Sequence, residues 1–322
     1  MKIFSGIQPS GEFHIGNYLG AMKNWVALQD DNECIFGVVD YHAITVDYDP
    51  KEMPARILNA AKDLLAVGID PAKSILFLQS DRPEHTELAW LLNTITTMGE
   101  LNRMTQFKEK SAKHGKHEQL MGLFDYPILM AADILIYGGE GVPVGEDQTQ
   151  HIELARDLAR RFNSKFGQTF IEPKPILTET KRIIGLDGKG KMSKSNTPGT
   201  YIALSDSPDI IRQKIAAATT DTGQGEEISE GTKNLIGLIG IFAGHEAEGK
   251  YMKERQAGTI KYSEFKPALA EAIIKELEPI QKKRQEISDE DIKKILKDGA
   301  LKLAPAAQKT ITDVKEKMGL II

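Results

Sequence analysis

Apolar positions in the first 80 residues follow two alternating periods. Residues 1–8 read as a strand, and between 16 and 29 Tyr18, Leu19, Met22, Trp25, Val26 and Gln29 recur at the helical spacing. Ile35 to Val39 is a continuous apolar run of strand length, 51–67 is helical, and Ile75-Leu76-Phe77-Leu78 is another short buried strand. Strands apolar on both faces, alternating with helices, predict an α/β domain with a doubly wound parallel sheet.

Residues 84–137 are helix-rich until the strand-like Ile134-Leu135-Ile136-Tyr137, and so read as a helical insertion between sheet strands. Val142-Pro143-Val144 is a short strand-like piece leading through Gly145-Glu146-Asp147-Gln148 into a helix whose Ala155, Leu158, Phe162 and Phe166 share one face. Pro173 and Pro175 break the pattern. The stretch 185–199, rich in Gly and Lys and closed by Pro198-Gly199, predicts an exposed mobile loop. Ser207-Pro208 then starts a helix with proline at its first position. Helical patterns continue at 232–243, 264–287, 289–297 and 302–318 with no convincing strand, so the second domain is expected to be all-α.

A chain of 322 residues favours two domains, and 41% hydrophobic with 27% charged residues is the composition of packed domains. The opening apolar run is too short for a signal peptide, and the stretch from Ile128 to Tyr137 is far short of a bilayer span, so no membrane contact and a cytoplasmic location are expected. The single cysteine, Cys34, excludes an internal disulfide, a multi-cysteine zinc site and a cysteine-held iron–sulfur cluster. A net charge of −5 argues against wholesale coating by nucleic acid but leaves local basic clusters, at Lys108, Lys110, Lys113 and Lys116 and at Lys282, Lys283 and Arg284.

Ligands of doubly wound sheets sit outside the carboxyl ends of the strands. Three features are expected there: the turn Gln8–Asn17, Asp40-Tyr41-His42 after the second strand, and Gly145–Gln148. At the turn, free N–H groups at a helix start favour an anion, and Gly11 and Gly16 permit its close approach. The stretch Gly185–Lys191 fits the start of a P-loop, but Met192 stands where that motif needs Ser or Thr and the match lies late in the domain, which excludes it.

His14-Ile15-Gly16-Asn17 and Lys191-Met192-Ser193-Lys194-Ser195 resemble the two signatures of class I aminoacyl-tRNA synthetases. Gln8-Pro9-Ser10-Gly11, Asp40-Tyr41-His42-Ala43-Ile44-Thr45, Met104-Thr105-Gln106-Phe107-Lys108-Glu109-Lys110-Ser111, Met130-Ala131-Ala132-Asp133-Ile134-Leu135 and Gly145-Glu146-Asp147-Gln148 narrow the resemblance to the bacterial-type tryptophanyl-tRNA synthetases, along essentially the whole chain.

The resemblance implies a Rossmann-like catalytic domain over 1–185 with its helical insertion at about 84–137, a mobile loop at 186–199, an α-helical anticodon-binding domain over 200–290, and C-terminal helices over 291–322 packed back on the catalytic domain. It implies activation of L-tryptophan with ATP and Mg²⁺, transfer to the cognate tRNA, and a homodimer with the insertion at its interface. His14, Asn17, Lys110, Lys191, Ser193, Lys194 and Ser195 are then the catalytic group, acting by positioning and charge stabilisation. ATP would also meet Gln8, Pro9, Ser10, Gly16, Gly145, Glu146, Asp147, Ile183 and Met192, with no metal ligand from protein side chains. Asp133 is the expected acceptor for the indole N–H, with Phe4, Met130, Val142 and Val144 around the ring and Gln8, His42, Tyr126 and Gln148 completing the amino-acid pocket. The alternatives are a tyrosyl-tRNA synthetase, a small-molecule adenylyltransferase and a synthetase-like paralogue without catalysis.

Overall fold

The computed structural model describes residues 1–105, 120–177, 183–193 and 199–322. They divide into two compact units, the first built from Met1–Gly11, Asn24–Glu179 and Ser288–Ile322, the second from Glu12–Lys23 and Thr180–Ile287.

In the first unit five strands, β1 (Lys2–Ile7), β2 (Glu33–Val38), β3 (Ser74–Leu78), β4 (Gly141–Val144) and β5 (Lys174–Leu177), form one sheet in the order β3-β2-β1-β4-β5. All pairs are parallel, with Phe4 beside Ile35, Ile35 beside Ile75, and Ile3 beside Gly141. Both faces of β2 are buried, as its unbroken apolar run requires. The strand order reverses between β1 and β4, the position where such sheets bind ligands. Cys34 is a core residue, and burial pushes its thiol up to about 11.

Three departures from the sequence reading have local causes. Pro175 does not break the pattern but sits in β5, a sheet edge, where its missing N–H is tolerated. Ile134–Tyr137 is not a strand: helix Met121–Leu135 ends within it and a turn follows, and a fully buried helix end presents the same continuous apolar run as a buried strand. The patterns at 289–297 and 302–318 belong to one helix, Asp289–Lys317, which starts at a Ser288 cap and carries Pro305 inside it.

That last helix covers the edge strand β3. Gly299 lies against it so closely that an added Cβ would stand 2.0 Å from the Leu76 carbonyl oxygen. Thr310 adds a hydrogen bond of 2.8 Å from its hydroxyl to the Ile136 carbonyl. Gly299→Ala is therefore expected to destabilise the fold despite the roughly 1 kcal/mol that alanine contributes in a helix, because overpacking against backbone costs about 1–3 kcal/mol and the helix must lift from the strand. The denaturant midpoint should fall; an unchanged midpoint would mean that the helix seats differently.

The second unit is helical, with Pro208–Ala217, Glu230–Ala243, His245–Gln256 and Tyr262–Glu286. Its core includes Ile211, Ile215, Leu235, Ile239, Phe265, Leu269 and Ile273. Helix His245–Gln256 has no apolar period to announce it, since only Tyr251 and Arg255 are buried. Arg255 is fully enclosed, donating to Asp221 Oδ1 at 2.9 Å and to the carbonyls of Gln224, Gly225 and Glu227. A buried guanidinium satisfied in this way fixes the loop it threads.

Candidate active site

The carboxyl ends of the parallel strands hand the first unit a row of polar residues. Gln8 and Pro9 follow β1, Asp40 and His42 follow β2, Gln79 follows β3, and Gly145–Gln148 follow β4. Beneath them Asp133, on helix Met121–Leu135, is 2% exposed. Its Oδ1 accepts from Gln79 Nε2 at 2.7 Å and from His85 Nδ1 at 2.6 Å, and its Oδ2 accepts from His42 Nε2 at 2.7 Å. Such a carboxylate is tolerable in an apolar surround only because it is paired in this way. Oδ2, with one donor against two on Oδ1, keeps a lone pair for another N–H.

The network is fixed from behind. Donation by His85 Nδ1 leaves Nε2 to accept from the Tyr137 hydroxyl at 2.7 Å. Gln79, fully buried, also accepts from the Tyr41 N–H and so ties the chain after β2 to Asp133. Tyr126 stands edge-on to His42, and its hydroxyl lies 2.9 Å from His151 Nε2; burial pushes that phenol up to about 12, so it stays protonated.

Burial raises the pKa of Asp133, but the hydrogen bonds from His42 and His85 outweigh it and hold the carboxyl below its ordinary range. A carboxyl depressed on folding contributes stability that is complete above its unfolded value, about 3.9, and is lost as pH falls through the folded value. Asp133→Asn should therefore be less stable than the parent near neutrality, and the denaturation midpoints of the two should converge as pH drops below the carboxylate range. A gap that stays constant with pH would show that the charge is not what stabilises the network.

In the second unit Glu12–Lys23 is zipped to the chain at 202–204, by Ile15 N–H to the Ile202 carbonyl at 3.0 Å and Leu204 N–H to the Phe13 carbonyl at 2.9 Å. His14 caps the helix start: its Nδ1 accepts from Gly16 N–H at 3.1 Å, and its own N–H donates to Asn17 Oδ1 at 3.1 Å. This corrects the expectation of free N–H groups at the turn. The N–H groups of Ile15, Gly16, Asn17 and Tyr18 all have protein acceptors, so an anion there would have to be met by side chains. The cap arranges for that. It puts the His14 proton on Nε2 and turns the Asn17 carbonyl inward, which leaves the amide Nδ2 as an outward donor. Gly16 is required, since a Cβ would come within 2.9 Å of the His14 ring. The helix then continues through a π-helical turn, Tyr18–Met22, of the kind found at functional sites.

Met192, 1% exposed, packs toward this turn, 3.8 Å from where a Gly16 Cβ would stand. It anchors the second signature beside the first. Ile184 pairs with Lys191 in an antiparallel bridge, and Met192 N–H donates to the Ile183 carbonyl at 2.9 Å.

The model of tRNA synthetases class I (W and Y) matches residues 1–278. The chain belongs to this family. It is 49% identical to the tryptophan–tRNA ligase of Caldanaerobacter subterraneus subsp. tengcongensis over all of this chain and 99% of that one. Against the tryptophan–tRNA ligase of Helicobacter pylori it is 48% identical over 99% of each chain. Among solved structures, tryptophanyl-tRNA synthetase from Campylobacter jejuni complexed with ADP and tryptophan matches with a TM-score of 0.87 and 36% identity, covering 99% of this chain and 100% of that one. Tyrosyl-tRNA synthetase from Archaeoglobus fulgidus, at 22% identity and a TM-score of 0.69, shares the fold.

Membership in the class I synthetases makes the chain an aminoacyl-tRNA ligase with the Rossmann-type sheet described above. Of the expected site residues, the first unit brings Asp133, His42 and Tyr126 into one buried network. Phe4, Val142 and Val144 are buried in its core, Phe4 stacked on Tyr137, with Met130 partly buried against the same cluster. Glu146 and Asp147 are exposed at the start of helix Thr149–Phe166, whose cap position is Gln148, without a side-chain cap bond. Lys108, Lys110, Lys113, Lys116, Lys194 and Ser195 lie outside the described residues. Sequence reading passed over Gln79, His85, Tyr137 and His151. The signal for His85 was a histidine on the inward face of an amphipathic helix, which reads equally well as core.

Proposed function

We propose that this chain is a tryptophan–tRNA ligase. The reading is carried by Asp133, a buried carboxylate ionised by its partners and keeping one lone pair for the donor that an indole presents. The names of the relatives and the tryptophan and ADP in the Campylobacter jejuni structure support the same assignment. The tryptophan carboxylate attacks the α-phosphorus of ATP, the bond to the β-phosphate oxygen breaks, and tryptophanyl-adenylate and pyrophosphate form. A ribose hydroxyl of the tRNA then attacks the adenylate carbonyl and AMP leaves.

His14 Nε2–H, Asn17 Nδ2–H and the ammonium groups of Lys191 and Lys194 are assigned to the phosphates, aided by Lys110, Ser193 and Ser195. Lysines on a loop can strengthen their contact as charge moves onto pyrophosphate, which lowers the barrier where uniform binding would not. Gly145, Glu146 and Asp147 are assigned to the adenosine, together with Ile183 and the segment Gln8–Ser10. Gln8, His42, Tyr126, Met130, Val142, Val144, Phe4 and Gln148 are assigned to the amino acid. Mg²⁺ is assigned to the phosphates of ATP, not to protein side chains. Residues 200–290 would read the anticodon. The exposed apolar side chains of Trp90 (71% exposed), Met98, Leu120 and Met121 support a homodimer through the helical insertion. Among the described residues no helix is long and apolar enough to cross a membrane, which suits a cytoplasmic enzyme.

Amino-acid-dependent ATP–pyrophosphate exchange, followed by charging of purified tryptophan tRNA, tests the reading. Exchange driven by tyrosine and not by tryptophan would overturn it in favour of the tyrosine enzyme, and tryptophan binding without exchange would favour a paralogue without catalysis.

A further inference from the structure

Lys191 and Met192 of the second signature lie on a short hairpin, one strand of which is gripped by a side chain outside both signatures. Gly185 N–H donates to the Gly190 carbonyl at 3.2 Å, and Met192 N–H closes the strands onto Ile183. From helix Glu230–Ala243, Asn234 grips the middle of the first strand with both ends of its amide. Its Oδ1 accepts from Ile184 N–H at 3.1 Å and its Nδ2 donates to the Ile184 carbonyl at 3.0 Å. Ile184 is the residue bridged to Lys191.

Two backbone contacts hold the hairpin from outside, one from Thr219, which follows helix Pro208–Ala217, and one from the first turn of the helix that carries Asn234. Thr219 N–H donates to the Leu186 carbonyl at 2.8 Å. Gly188, with φ +73°, comes so close to Gly231 that a Cβ on it would meet the Gly231 backbone at 3.2 Å. These contacts, with Leu186 N–H donating to the Thr200 carbonyl at 2.8 Å and Lys189 N–H donating to Asp187 Oδ1 at 3.1 Å, hold the tip, whereas Asn234 holds Ile184 itself, opposite Lys191. A side-chain amide matched to a peptide N–H and C=O allows one orientation, so it fixes rotation as well as distance.

We propose that Asn234 is a positioning residue for the loop chemistry: it sets the register of the hairpin from which Lys191 and Ser193 reach the phosphates. The inference rests on the functional reading above and names a residue that reading does not use. Asn234 is half-buried, so its replacement leaves the helix core of Leu235, Leu238 and Ile239 intact.

Asn234→Ala and Asn234→Asp in the full chain test it. Loss of both bonds should lower kcat for tryptophan-dependent exchange about 10- to 100-fold, the scale expected for unpaired peptide groups, and raise KM for ATP, with the tryptophan Kd within about twofold of the parent. Trypsin should cut the folded variant after Lys189 and Lys191 faster than it cuts the parent. The aspartate has the same size and sets an oxygen against the Ile184 carbonyl. A packing role predicts an aspartate variant close to the parent; a positioning role predicts one impaired at least as much as the alanine variant. Unaltered cleavage, an active aspartate variant, or a loss of tryptophan affinity as large as the loss of rate would each overturn the inference. A parent without tryptophan-dependent exchange would instead sink the functional reading, and the cleavage comparison would still decide the role of Asn234 in the hairpin.

Discussion

Replacing Lys194 by alanine is expected to slow tryptophan activation about 10²–10³-fold, the usual cost of removing one group that stabilises transition-state charge, while leaving tryptophan binding nearly unchanged. The expectation follows from where charge appears. In the ground state the negative charge of ATP is shared among its phosphates; as the bond to the α-phosphorus breaks, charge collects on the departing pyrophosphate. A cation fixed against the phosphates would bind both states and gain nothing in rate. A cation a few residues beyond an anchored hairpin can tighten as charge develops, and the anchoring of Ile184 to Lys191 and of Met192 to Ile183 provides that base. Single-turnover formation of the adenylate, measured beside equilibrium binding of tryptophan, separates the possibilities. A variant whose main defect is in tryptophan affinity would show that the loop has been misassigned.

The parts of this chain visible in sequence are those coded by contiguous residues. Strands β1, β2 and β3 announce themselves by unbroken apolar runs, and the residues just after them, Gln8, Asp40 and His42, become site candidates as soon as the sheet is read as parallel. What sequence does not reveal is pairing at a distance. Gln79, His85 and His42 reach Asp133 across separations of 54, 48 and 91 residues, and no local pattern marks a buried histidine as a donor rather than a packed ring. The turn at His14 shows a different limit. Glycines and a helix start suggest backbone N–H groups available to an anion, but the same local sequence folds its own histidine onto them, so the donors proposed there are side chains, those of His14 and Asn17. Helix His245–Gln256 is hidden because it buries one tyrosine and one arginine, and the worth of that arginine depends on Asp221 and three carbonyls elsewhere in the chain.

Because Asp133 has three donors already, its replacement separates selectivity from affinity. In Asp133→Asn the size and the hydrogen bonds to Oδ1 can be kept, and His42 can exchange tautomer to accept from the new Nδ2; what disappears is the acceptor available to an incoming N–H. A pocket that hydrogen-bonds its substrate rejects an analogue lacking the donor by about 10⁴ because the acceptor is otherwise left buried and unpaired. The parent is therefore expected to favour tryptophan over the isostere with sulfur in place of the ring N–H by about that factor in kcat/KM, and Asp133→Asn to lose most of it. The loss should come from slower turnover of tryptophan together with relaxed rejection of the isostere and of phenylalanine. Apolar contact with Phe4, Met130, Val142 and Val144 would hold both rings equally and contribute little to the ratio. Competition kinetics with the paired substrates measure that ratio directly. A variant that binds tryptophan more weakly but still rejects the isostere as the parent does would place the indole acceptor elsewhere and leave Asp133 as a fastener between the helix Met121–Leu135 and the residues that follow β2 and β3.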